Sequence, residues 1–319
     1  MPFARRTLLA APALCAAISP ARAQSRAIRF IVPFVAGGST DVAARLIAER
    51  MADILGQPVM VENRGGSGGN IGGEMVARAA PDGQTILMGV TGLLSTNPHI
   101  YRNMGFDPGR DLAPVSLAYT SDMVIVVHPA VARDLAGFIA RAKAAPGAMS
   151  FGSSGHGAST HTAAELFKLA AGIDVVHVPY RGSGAAMNDL IAGNIQMMLV
   201  QIAATVGAIR DGRIRALAAT GPARHALLPE VPSLAEQGYP QATATSWGAV
   251  MVTAGSPQPA VLRLNAAVRE ALATPLVSSR MAAAGVDGQS SSIEELAAFI
   301  RAESDKWGQV VREARITVD

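Results

Sequence analysis

Three short stretches of this chain combine glycine with serine or threonine just where an apolar helix begins: residues 37–41, 152–162 and 182–184. Each follows a strand-like run, and none contains lysine. Glycine lets main-chain N–H groups approach a ligand that a side chain would hold off. The first turn of a helix leaves N–H donors free and carries the positive end of the dipole, which suits an anion. Three such turns at the carboxyl ends of strands can surround one small anion with amide and hydroxyl donors. The richest lies within residues 150–166, where Gly152, Gly155 and Gly157 permit tight turns. Ser159, Thr160 and Thr162 have the character of N-caps, and Thr162 to Glu165 has the spacing of a capping box. The plain alternative is that these residues only cap helices. The candidate ligand contacts are Gly38, Ser39 and Thr40 in the first turn, then Ser153, Ser154, Gly155 and Ser159 in the second. Tyr180, Arg181 and Gly182 complete the third, and Thr91 and Ser246 are added from position.

Serine beside histidine raises a second chemistry, a hydrolase using Ser154 or Ser159 with His156 or His161. Neither Ser154 nor Ser159 sits in a G-x-S-x-G elbow, and these residues lie too close along one loop for a triad. The expectation is therefore a non-enzyme. His161 and His177 are read as hydrogen-bonded structural residues, and Asp41 as ordering its own loop, since a carboxylate facing an anion would repel it. Residues 63–73 hold six glycines but neither a P-loop lysine nor a clean G-x-G-x-x-G, so nucleotide binding is not expected. With a single cysteine and no ligand cluster visible along the chain, no metal and no cofactor are expected.

The elements that would position these turns follow from periodicity. Residues 27–32 read as a strand, and the next helix carries Val42, Leu46, Ile47 and Ile54 at helical spacing before Gly56. Residues 58–62 and 85–90 are strands, the latter delivering Thr91 where open α/β sheets place ligands. A loop-rich passage with Asn97-Pro98, Asp107-Pro108 and Ala113-Pro114 precedes a buried strand at 124–128. Strands at 175–179, 197–200, 216–220 and 247–252 continue the alternation with helices. The last helix, 293–314, aligns Leu296, Ile300, Trp307 and Val310 on one stripe, with Trp307 read as core. Alternation joined by Gly-rich turns predicts parallel α/β sheets.

Arg5 and Arg6, an apolar run over 8–18 and Ala21-Arg22-Ala23 form a secretory leader, with cleavage expected after Ala23. The run is too short to span a membrane. Its loss removes three arginines and no acid, leaving 24 basic and 24 acidic groups. A neutral chain without a basic run gives no electrostatic case for nucleic acid or a membrane surface. Cys15 falls in the leader and lacks a lipobox, so the mature chain has no disulfide to form.

Read in order, the motifs resemble the extracytoplasmic solute receptors of the tripartite tricarboxylate transporter family, the Bug receptors. The resemblance is carried by Gly37-Gly38-Ser39-Thr40-Asp41, Val61-Glu62-Asn63-Arg64, Gly68-Gly69-Asn70-Ile71-Gly72 and Pro81-Asp82-Gly83. It continues through Ser153-Ser154-Gly155-His156-Gly157 with His161, Glu165-Leu166-Phe167 and His177-Val178-Pro179-Tyr180-Arg181-Gly182. Asp189-Leu190-Ile191-Ala192-Gly193, Arg215-Ala216-Leu217-Ala218 and Ser246-Trp247-Gly248 complete it.

This resemblance implies a two-lobed periplasmic-binding-protein fold, type II-like, each lobe a Rossmann-like sheet with flanking helices and the ligand in the cleft between. Lobe one is expected over 26–121 plus 244–319, and lobe two over 122–243. The implied function is a periplasmic, monomeric receptor that holds a small carboxylate through amides, hydroxyls and waters. Its implied partners are the large and small membrane subunits of the transporter; a ligand sensor without transport is the alternative. Arg181 is placed at the cleft rim, steering ligand. The chain departs from the family at Val35-Ala36-Gly37-Gly38, where Pro-Pro or Pro-Gly-Gly is usual. It departs again at Val200-Gln201-Ile202-Ala203, where a more polar turn is usual and pocket specificity would change.

Overall fold

The computed structural model describes residues 26–317; the leader and its cleavage site lie outside the described residues. The chain begins with β1 (Ile28–Val32), α1 (Ser39–Leu55), β2 (Val59–Asn63), α2 (Asn70–Ala77) and β3 (Thr85–Val90). Strand β3 is buried along its whole length, as a strand covered on both faces should be. A π-turn at Gly92–Thr96 runs into α3 (Asn97–Ile100), then α4 (Pro108–Asp111) and β4 (Leu112–Val127). The passage expected to be loop-rich thus contains helical turns and the first half of a long strand. Pro114 disguises that strand, and a register shift between Pro114 and Ser116 accommodates it, because proline has no N–H for the ladder.

The remainder is α5 (Leu135–Ala144), β5 (Ser150–Ser153), α6 (Ser159–Ala171), β6 (Val176–Pro179), α7 (Ser183–Ala192) and β7 (Met197–Gln201). There follow α8 (Val206–Arg210), β8 (Arg215–Ala219), β9 (Thr245–Thr253), α9 (Gln258–Leu272), α10 (Pro275–Ala283), β10 (Asp287–Gly288) and α11 (Ile293–Glu313). The strand order is β2-β1-β3-β9-β4-β7-β5-β6, with β8 and β10 also on β4. The outer strands pair in parallel, as the alternation predicts, but β9 and β4 run antiparallel to their neighbours. The chain leaves the first half along β4 and returns along β9, so these two must run in opposite directions.

Strand β4 changes partners midway. Residues from Leu112 to Asp122 pair with β9, while Met123 to Val127 pair with β7 and β8. Each half of the sheet is covered on both faces. In the first, Phe30, Ile47, Met51, Val250 and Leu264 fill one side, and Ile31, Leu87, Trp247 and Leu296 the other. In the second, Phe138, Phe151, Phe167 and Leu199 lie opposite Leu190, Val200 and Ile214 across the strands.

Helix α11 reaches both halves: Leu296 belongs to the first core, whereas Trp307 and Val310 join the second. Burying Trp307, at 1% exposure, contributes about 3 kcal/mol. Glu303 locks the helix in place, its Oε2 accepting the indole N–H of both Trp247 and Trp307 at 2.8 Å.

Candidate functional site

The N-termini of α1, α6 and α7 meet the solvent without a side-chain cap. The residues in the capping position are Gly38, Ala158 and Gly182, none of which has a side-chain acceptor. Elsewhere Asp134 caps α5 and Ser292 with Glu295 forms a capping box on α11, while α2, α9 and α10 also lack a side-chain cap; what sets α1, α6 and α7 apart is that all three face one cleft. The uncapped N–H groups are therefore left for a ligand or water. The capping box read at Thr162 and Glu165 does not form, because Thr162 lies inside α6. Its hydroxyl donates back to the Ala158 carbonyl at 3.4 Å, and Glu165 pairs with Lys168 at 2.9 Å.

Asp41 faces its own loop, as the sequence suggests. Its carboxylate accepts from Gly37 N–H and Arg45 Nε at 3.0 Å and from Asn63 Nδ2 at 2.9 Å. Burial pushes the carboxyl up, but the hydrogen bonds from Arg45, Gly37 and Asn63 together outweigh it and hold the group below its ordinary range. Asn63 also donates to the Phe34 carbonyl at 3.0 Å, so one network shapes the loop that presents the α1 amides.

The three N-termini open on a single cleft of about 910 Å³. Of the sequence candidates, Gly38, Ser39, Thr40, Thr91, Ser154, Gly155, Ser159, Gly182 and Ser246 line it. Ser153, Tyr180 and Arg181 do not. Ser153 ends β5 facing inward, with its hydroxyl at 2.6 Å from His177 Nε2 and bonded to Gly155. Tyr180 gives its hydroxyl to Asp189 at 2.6 Å, and burial followed by that carboxylate pushes the phenol up to about 12. Arg181 is exposed, with its side chain outside the lined cleft.

The sequence reading missed Tyr119, Asn97, Tyr101, His156 and Ser183 as lining residues. Tyr119 lies on the unrecognised half of β4, with its hydroxyl bonded to Thr40 Oγ1 at 2.8 Å and its phenol pushed up to about 12 by burial. Gln201, in the turn that departs from the family pattern, lines the cleft as well. No lysine, arginine, aspartate or glutamate is among the lining residues. An anion here meets amides, hydroxyls and helix dipoles. A smaller hollow of about 560 Å³ between α6 and α11 has no convergent donors of this kind.

Behind the second turn, three histidines gather that are scattered in the sequence. His161 and His177 stack with centroids 3.7 Å apart and planes 9° apart, and Phe151 stacks on His177 at 4.9 Å. His156 stands edge-on to both. Burial first, then the neighbouring imidazoles and Lys168, pushes His161 down to about 3 and His177 down to about 4. One nitrogen of each ring lies within 4.8 Å of the others, which corrects the expectation that no such cluster exists. The arrangement suits a stack better than a cation: parallel rings aim their lone pairs side by side, and His161 Nδ1 already accepts the Gly157 N–H at 3.1 Å. Nor is an exposed nucleophile–base pair assembled among these residues. Ser154 Oγ bonds Thr160 Oγ1 at 2.9 Å, and the Ser153–His177 pair is shut away from the cleft.

Comparison with known proteins follows the same line. A family model described as the tripartite tricarboxylate transporter family receptor matches residues 43–316. Protein BugT of Bordetella pertussis is 36% identical over 307 residues, covering 96% of this chain and 94% of BugT. R. palustris Rpa4515, solved with adipate, is 32% identical with a TM-score of 0.83, covering 92% of this chain and 98% of its own. MatC from Rhodopseudomonas palustris, solved with bound malate, is 30% identical with a TM-score of 0.80, covering 90% and 99%.

Proposed function

We propose, since this chain belongs to the receptor family of the tripartite tricarboxylate transporters and is a Bug-type protein, that it captures a small carboxylate in the periplasm and delivers it to the transporter's large and small membrane subunits. The observation that carries this reading is the set of three uncapped helix N-termini around a cleft free of charged side chains. Such a site favours a carboxylate by amide and hydroxyl donors without paying to bury a cation beforehand. Adipate in Rpa4515 and malate in MatC support the same ligand class. In this reading the leader is removed after Ala23 and the mature receptor is a monomer. No helix among the described residues is long and apolar enough to cross a membrane.

Binding closes the cleft. The two lobes, 26–121 with 244–319 and 122–243, would move about the β4 and β9 crossings, since ligand donors come from α1 on one side and α6 and α7 on the other. Ser39, Thr40, Ser154 and Ser159 join the amides as contacts, and Arg181 acts from outside. A thermal-shift screen of carboxylates on the mature protein tests the reading, because a ligand that binds only the folded state raises its melting temperature. Adipate, malate, citrate, an amino acid and benzoate make a sufficient first panel. The absence of any shift across a broad panel of organic acids would refute it. Small-angle scattering checks closure through a smaller radius of gyration at saturation.

A further inference from the structure

The cleft contains one side chain able to become a cation. His156 lines it from the turn between β5 and α6, with no lysine or arginine beside it in the lining. Its ring meets the buried pair edge-on, 5.8 Å and 86° from His161 and 5.1 Å and 89° from His177. His161 is committed to the Gly157 N–H through Nδ1, and His177 to Ser153 through Nε2. Burial keeps both of these rings neutral, at about 3 and about 4, whereas His156 is exposed. Of the three imidazoles, His156 is therefore the one that lines the cleft and is open to a ligand.

We infer that His156 makes carboxylate capture proton-linked, its imidazolium adding a charge-assisted contact to the amides of α6. This inference rests on the carboxylate-receptor reading above. The titratable and charged groups around His156 come from several elements. From α6, His161 is neutral, and Lys168 pairs with Glu165 at 2.9 Å while still disfavouring charge on the two buried rings. His177 approaches from β6, Arg181 occupies the turn before α7, and Tyr101 and Tyr119 line the cleft from the first half. Nothing acidic lines the cleft to compete with the ligand for the imidazolium. The bound anion favours the protonated ring, so affinity rises as pH falls. One charge-assisted hydrogen bond corresponds to about a tenfold change between pH 8 and pH 6.

Calorimetry with adipate, malate and benzoate as probes, at about pH 6, 7 and 8, tests this on the wild type, His156→Gln and His156→Lys. For a probe that binds, the wild type should bind about tenfold tighter at the lowest pH, with a heat that depends on the buffer's ionisation because a proton is taken up. His156→Gln should show the weaker affinity at every pH, and His156→Lys the stronger affinity at every pH. Thermal unfolding of the unliganded variants confirms that each is folded. A flat wild-type profile, or a full slope retained in His156→Gln, overturns the role of His156 while leaving the receptor reading intact. Failure of all three probes, and of the full panel of organic acids above, on the folded wild type at every pH overturns the two together.

Discussion

Placing a side chain at Gly38 separates an amide cradle from a salt bridge. Gly38 sits just ahead of α1 with φ −76° and ψ 165°, a backbone any residue adopts, and a Cβ there would meet no protein atom within 4 Å. Gly38→Val should therefore cost folding about 1 kcal/mol or less, the penalty of an apolar residue in the capping position. The same residue lines the cleft, so the added methyls stand where a carboxylate would approach the α1 amides. Losing two charge-assisted hydrogen bonds, at about 1.5 kcal/mol each, weakens binding by about 3 kcal/mol, or more than a hundredfold. Arg181 gives the opposite expectation. It is exposed, so Arg181→Ala should weaken binding by about 1 kcal/mol or less and act mainly on association rate and salt dependence. Gly182 has φ 106° and ψ 158°, a region kept almost entirely to glycine, so Gly182→Val adds backbone strain of about 1–3 kcal/mol to any block of the cleft. Its affinity must be read beside its stability. The assay is calorimetry with one carboxylate identified in the screen, paired with urea unfolding of each variant. Several kcal/mol lost in Arg181→Ala, with Gly38→Val binding normally, would show that the anion is held by a salt bridge and that the cradle argument is wrong.

Other expectations concern the frame around the site. Glu303→Leu strands two indole N–H groups and should destabilise the fold by about 2–4 kcal/mol in urea titrations, whereas Glu303→Gln keeps an acceptor and should cost about half as much. Asp41→Ala releases Gly37, Arg45 and Asn63 together, so it should lower stability by about 2 kcal/mol and weaken ligand binding several-fold by calorimetry. Acid sensitivity should begin early. Burial, then neighbouring imidazoles and Lys168, moves His161 and His177 from the ordinary 6.5 to about 3 and about 4, so below 6.5 the unfolded chain binds protons the folded chain refuses. Stability should fall as pH drops from 6.5 towards about 4, and a His161→Gln/His177→Gln double variant should lose most of that slope in urea midpoints, though weaker at neutral pH.

Glycine with serine or threonine ahead of an apolar helix is a local signature, because N–H donors and turn conformations belong to a few adjacent residues. The turns at 37–41 and 182–184, and the stretch from Ser154 to Ser159, were legible for that reason, as were most helices and the outer parallel strands. Their ordered recurrence along the chain also carried the family resemblance. Which residue of each turn faces the cleft was not local. Ser153 and Ser154 are neighbours of one type, yet the end of β5 buries the first and the turn exposes the second. Pro114 concealed the start of β4, so Tyr119 and Ser121 entered the cleft unannounced; only pairing with the distant β9 defines that strand. The histidine stack likewise depends on parallel register, which sets His177 beside Phe151. Helix α11 was evident from its stripe, but the stripe could not say that Leu296 and Trp307 belong to different cores. Periodicity reports which side of an element is buried; what buries it is decided by contacts between residues far apart in the chain.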